Sequence, residues 1–129
     1  GTGKPLKAEA VRPIVELADY RTWLMASPDG PLWFRGLAQG EEATLQAGVT
    51  AVPERLQARF IVVGHSVQST TSITPRFENR VFLLDTGMLA SEYKGRASAL
   101  EILDGRFTAH YADGDPVELP SPPGGSKIP

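Results

Sequence analysis

"ASALEILDGRFTAHY", residues 97–111, decides how the second half of this chain folds. Two β-prone runs, 97–103 and 106–111, flank Asp104-Gly105. An Asp-Gly pair accepts the positive φ angles that a two-residue hairpin turn demands, so the stretch reads as an antiparallel hairpin. Upstream, "VFLL" at 81–84 is a short apolar run that ends in "DTG". "RFIVVGHSVQST", 59–70, holds a second such run, Phe60 to Val63, which passes straight into Gly64-His65. Unbroken apolar runs of this length are the pattern of strands buried on both faces. Between them "RFENR", 76–80, places Glu78-Asn79 where a hairpin turns.

The first half has a different period. Leu6, Val11, Ile14, Val15, Leu17, Trp23 and Leu24 fall at roughly helical spacing, and Pro13 interrupts them. The spacing predicts a short helical start and then a second helix from Pro13 to Met25. "SPDGP", 27–31, is a loop signal. Residues 41–58 read as helical again with breaks at Gly48 and Pro53, and Pro53 suits the first turn of a final helix. The tail "DPVELPSPPGGSKIP", 115–129, is rich in Pro, Gly and Ser and is expected to lack fixed structure. The expected fold class is α/β: N-terminal helices followed by a mostly β C-terminal part of four strands. Its expected segments are a helical 1–26, a main unit over 27–112 and a tail over 113–129.

Composition narrows the function classes. A chain of 129 residues suffices for one core and not two. Net charge is −2 and no run of like charges occurs, so nothing points to nucleic acid or an anionic membrane. The sequence has no cysteine, which removes disulfides, thiolate metal sites and cysteine nucleophiles together. No apolar stretch approaches the ~20 residues of a membrane-spanning helix. The expected protein is soluble, with cytoplasm and periplasm both open to it. "GTGKP", 1–5, lacks the second glycine, the Ser/Thr and the preceding strand of a phosphate loop.

Two histidines carry the chemistry, His65 and His110. His110 lies in the second run of the Asp-Gly hairpin and reads as a surface strand residue. His65 ends a buried strand, the position at which open α/β sheets present reactive groups. Gly64 beside it lets the backbone turn and leaves room for a ligand. A strand-capping imidazole and a metal ligand both remain compatible with the Gly-His pair alone.

Taken in order, "DGPLWFRG" (29–36), "VVGHS" (62–66), "RFENRVFLLDTGM" (76–88) and "YKGRASALEILDG" (93–105) resemble the C-terminal half of calcineurin-like metallophosphoesterases. The nearest likeness is to the phosphoprotein-phosphatase branch and its bacterial members, over about residues 27–112. The resemblance implies half of that family's α/β sandwich. It implies that His65 is a ligand to one of two catalytic divalent cations, Mn, Fe or Zn. Gly64, Ser66, Asp85 and Gly87 fall at structural positions around such a ligand. Arg35, in "PLWFRG", is either a substrate-binding residue that grips phosphate through its guanidinium fork or an ordinary loop arginine. Trp33 and Phe34 read as packing residues.

The family's N-terminal motifs, Asp-x-His, Gly-Asp-x-x-Asp, Gly-Asn-His and a further histidine, do not occur here. The full two-metal site is therefore not present in this chain. The expectation is the C-terminal portion of a metal-dependent phosphoesterase, inactive alone, whose phosphorylated substrate is of unstated class. The alternative is a stand-alone, non-catalytic binding or dimerisation module that self-associates through exposed strand edges. A third reading makes Asp85 or Glu101 the acid/base of a different enzyme.

Overall fold

A computed structural model describes residues 7–19, 23–28 and 30–124. The described residues form two compact units, within 1–35 and 36–129. The "GTGKP" stretch, part of the helix expected to reach Met25 and the last residues of the tail lie outside them.

The first unit holds α1, Ala8–Ala18, which runs through Pro13 where a break was expected. A 3-10 turn follows at Leu24–Ala26. Of the second helix expected from Pro13 to Met25, residues 13–18 belong to α1, which Asp19 caps, residues 24–26 form the 3-10 turn, and 20–22 lie outside the described residues.

The second unit opens with two helices, α2 (Gly36–Gln39) and α3 (Glu42–Arg55). α3 passes Gly48 without a break, and Pro53 sits buried in its last turn rather than in the first turn of a new helix. A proline there removes one hydrogen bond near an end that is already running out of partners, which is why the helix survives it. Two three-stranded sheets follow. The first contains β1 (Ile61–Val63), β2 (Thr74–Arg76) and β3 (Val81–Leu83), in the order β1-β3-β2. β1 is parallel to β3, and β2 is antiparallel to it. A single turn of helix, α4 (Ala90–Tyr93), leads to the second sheet, β4 (Ser98–Leu103), β5 (Arg106–Tyr111) and β6 (Val117–Leu119), an antiparallel meander. Helices followed by a mostly β part is the fold class expected from the sequence. The described residues hold six strands, not four: Pro75 hid β2, and the proline-rich tail hid β6.

The Asp104-Gly105 turn forms as read, with φ of 50° and 77°. The Glu78-Asn79 turn forms too, but it joins β2 to β3 and not the two apolar runs. Phe77, Glu78 and Asn79 all have positive φ, a costly conformation for residues with a Cβ. Burial of the Phe77 side chain and a hydrogen bond from its N–H to Glu42 Oε2 (2.9 Å) hold the turn in place.

Packing makes three layers. On one face of β3, Val81 and Leu83 join Val49 of α3 and Phe77, with Leu37, Leu45, Ile61 and Val63 around them. On the other face Phe82 stacks on Phe107 of β5 and meets Phe60 edge-on at 6.1 Å. β3 is buried throughout, as its sequence implied. β1 is not: it lies at the sheet edge and Val62 is 43% exposed, because no second neighbour covers it among the described residues. Arg76 ties the helices to this sheet, donating to Glu42 Oε1 (3.0 Å), Leu37 O (2.9 Å) and Gly40 O (2.6 Å). No helix among the described residues is long and apolar enough to cross a membrane.

Candidate functional site

Because β1 and β3 are parallel neighbours, the chain leaves both at the same end of the sheet. His65 follows β1 and Asp85 follows β3, so the topology brings together two residues twenty positions apart in sequence. They line one cleft of about 320 Å³ with Gly64, Leu84, Thr86, Met88 and Ser98. Ligands of α/β sheets collect at the carboxyl ends of parallel strands for this topological reason.

His65 is exposed and has a φ of 65°. The backbone turn expected at Gly64 is therefore made by the histidine itself. A Cβ at Gly64 would meet nothing within 4 Å, so no neighbouring protein atom demands glycine there. Left-handed backbone at a non-glycine residue costs free energy and is a frequent mark of functional positions. Here it sets the imidazole at the rim of the cleft.

Asp85 is half-buried and held from two sides. Its Oδ1 accepts the Gly87 N–H at 3.1 Å, and its backbone carbonyl accepts the Gln68 N–H at 2.9 Å. Gln68 also donates through Nε2 to the Ser66 carbonyl at 2.6 Å, so Ser66 is fixed through its backbone, and it does not line the cleft. Gly87 has a φ of 69°, and a Cβ there would press on Tyr93 Cβ at 2.8 Å and Val67 Cγ1 at 3.0 Å. Glycine at this position is required twice over.

Thr86 is fully buried between them. Its hydroxyl donates to Arg96 O at 2.7 Å and lies 2.8 Å from Ser98 Oγ. A Cβ at Gly95 would collide with the carbonyls of Thr86 and Gly87. These contacts clamp the "DTG" turn onto the start of β4. Sequence reading singled out Asp85 and Gly87 but gave no role to Thr86, Gly95, Arg96 or Ser98. The signal was the "YKGR" segment, whose glycine marks a close backbone approach.

Arg35 belongs to the first unit. Its guanidinium lies 5.7 Å from the Trp33 ring centroid and reaches the carbonyls of its own loop, Leu32 O at 3.4 Å and Phe34 O at 3.5 Å. Trp33 and Phe34 are half-exposed rather than packed in a core. His110 lies on the outer face of the second sheet, half-exposed, with Nε2 3.0 Å from Glu101 Oε2. His110 lines a depression with Ala97, Ser98, Ala99, Tyr111 and Ala112 that adjoins the His65 cleft at Ser98, and Glu101 does not line the His65 cleft.

The cleft thus holds one imidazole, of His65, and one carboxylate, of Asp85, whose Oδ1 already accepts the Gly87 N–H. Even an open catalytic zinc site uses three protein ligands. No group of three or more His, Asp or Glu residues placed to hold a metal occurs among the described residues.

No family model matches the chain. No solved structure matches it. An uncharacterized protein of Schizosaccharomyces pombe is 39% identical over 74 residues, a match covering 57% of this chain and 22% of that protein. The chain thus spans about a fifth of the length of the curated relative it matches.

Proposed function

We propose that this chain is the C-terminal portion of a metal-dependent phosphoesterase and that His65 is one of its metal ligands. The observation that carries the reading is the convergence of His65 and Asp85 on one cleft at the carboxyl ends of two adjacent parallel strands. The ordered "VVGHS", "DTG" and "GRASALEI" segments support it. In this reading His65 donates a ring nitrogen, and the Asp85 carboxylate compensates the charge of a nearby cation. Two divalent cations, when bound, supply Lewis acidity and an activated water for attack on a phosphate ester. The remaining ligands come from outside this chain, which leaves the chain inactive by itself. The substrate is a phosphorylated molecule whose class is set by loops beyond this cleft.

The test uses the longest natural protein that contains this sequence, assayed for Mn²⁺-dependent hydrolysis of an aryl phosphate beside His65→Ala. Loss of one ligand of a metal pair is expected to lower kcat by about a hundredfold or more. An unchanged kcat in the variant would remove His65 from the site.

One observation favours a second reading, a non-catalytic binding or dimerisation module. β1 ends the first sheet with an open flank and Val62 exposed, the kind of edge that recruits another strand. Sedimentation of the isolated chain separates the two: a concentration-independent monomer counts against the module.

A further inference from the structure

We propose that Arg96 is a positioning residue of this site, one that helps set the His65 segment and the Asp85 segment against each other. The proposal rests on reading the His65–Asp85 cleft as the functional site. Two chains of hydrogen bonds lead from the cleft and both end at Arg96.

The first chain is carried by its backbone. Arg96 N donates to Thr86 O at 3.3 Å, and Arg96 O accepts the Thr86 hydroxyl at 2.7 Å. Thr86 is the neighbour of Asp85. The second chain is carried by its guanidinium. Nε donates to Thr71 O at 2.9 Å and Nη2 to Ser72 Oγ at 2.9 Å. Thr71 N in turn donates to Gln68 O at 2.9 Å. Gln68 holds both Ser66, beside His65, and the Asp85 carbonyl.

The guanidinium is fixed on its other sides as well. It lies 3.7 Å from the Tyr111 ring centroid, and Nη1 pairs with Asp113 Oδ1 at 3.2 Å. Tyr111 itself accepts the Ile73 N–H at 3.0 Å, so the ring is anchored to the same loop that Arg96 grips. A flat fork that donates to three acceptors while stacking on an aromatic face is a task for arginine; an ammonium has neither the plane nor the spread. Arg96 touches neither His65 nor Asp85, and any influence on the cleft passes through Thr86 and Gln68.

A merely structural cross-link between the sheets would loosen the whole unit when weakened. A positioning residue would loosen the cleft selectively. Amide hydrogen exchange of the full ¹⁵N-labelled chain distinguishes them, comparing Arg96→Lys with wild type. The expected result is exchange accelerated by about tenfold or more at Gln68 and Gly87, whose N–H groups bond to Asp85, with Leu83 and Val49 altered by less than about twofold. Uniform acceleration, or none at the cleft, overturns the proposal. Should Arg96→Lys fail to fold, Asp113→Ala removes only the outermost partner of the guanidinium and is read on the same amides with the same criterion. A Mn²⁺ titration of the longest natural protein that contains this sequence, followed by broadening of the His65 ring signals, reports separately on the metal reading. Absence of broadening counts against the proposed function, while the exchange pattern still decides the role of Arg96.

Discussion

Phe82 of β3 and Phe107 of β5 lie ring on ring, their centroids 4.7 Å apart and their planes within 6°. Both are almost completely buried, and Phe60 closes the cluster edge-on against Phe107 at 5.0 Å. This contact joins the sheet that bears the cleft to the sheet that clamps it. Truncating Phe107 to Ala is expected to cost about 3–5 kcal/mol, from lost burial and the cavity left between the sheets. Urea unfolding checks this: the midpoint should fall with the slope unchanged. A loss below 1 kcal/mol would mean the sheets close over the gap, and the cluster is not what joins them.

Glu42 is the first residue of α3, and its carboxylate spans two groups, Arg76 Nε and the N–H of Phe77 at the head of a strained turn. Glu42→Ala leaves that N–H without its acceptor and is expected to cost about 1–3 kcal/mol. Glu42→Gln keeps an acceptor oxygen while removing the charge, and because the side chain is 45% exposed the ion pair itself adds little. The expected order of thermal midpoints is wild type, then Gln close behind, then Ala well below. Equal losses for Gln and Ala would assign the effect to charge and not to the turn.

Gly95→Ala tests the backbone approach under the "DTG" turn. The added methyl would displace the Thr86 and Gly87 carbonyls, and overpacking of this kind typically costs about 1–3 kcal/mol. Amide shifts should move most at 85–87 and least in α3. A variant as stable as the parent, with those shifts in place, would show that the turn is looser than its contacts imply.

His65 sits in the left-handed region, at φ 65°. Glycine there removes a strain of about 1–2 kcal/mol and adds unfolded-chain entropy of about half that, so His65→Gly is expected to raise stability by up to about 1 kcal/mol. Mn²⁺ broadening at the cleft should vanish in the same variant. A drop in stability would mean that the imidazole makes a stabilising contact of its own.

Much of the fold can be read from local chemistry. Asp104-Gly105 announces its turn because only a few residue types accept those angles, and "VFLL" announces a strand buried on both faces. What escaped reading depends on partners far along the chain. Pro75 argues against a strand until β2 is seen at a sheet edge, where its missing donor faces no neighbour in the ladder. Val117–Leu119 is a strand only because β5 offers it a free flank. For the site, His65 and Asp85 were each visible at the end of an apolar run. Their meeting in one cleft follows from the parallel register of β1 and β3, which no local pattern encodes. Arg96 stayed hidden because its role lies in four contacts from two separate segments, 71–72 and 111–113.

The placement of β1 also has a kinetic consequence. The second sheet is a meander whose contacts are local, and such pairings form early. β1 instead reaches β3 across the whole of segment 64–80, past β2, and gains one neighbour for that loop closure. Substitutions in the β4–β5 hairpin, such as Ile102→Val, are therefore expected to slow refolding. Those in β1, such as Ile61→Val, should mainly hasten unfolding, as stopped-flow measurements in urea would report. The strand that carries His65 is then the last to be placed and the first to leave.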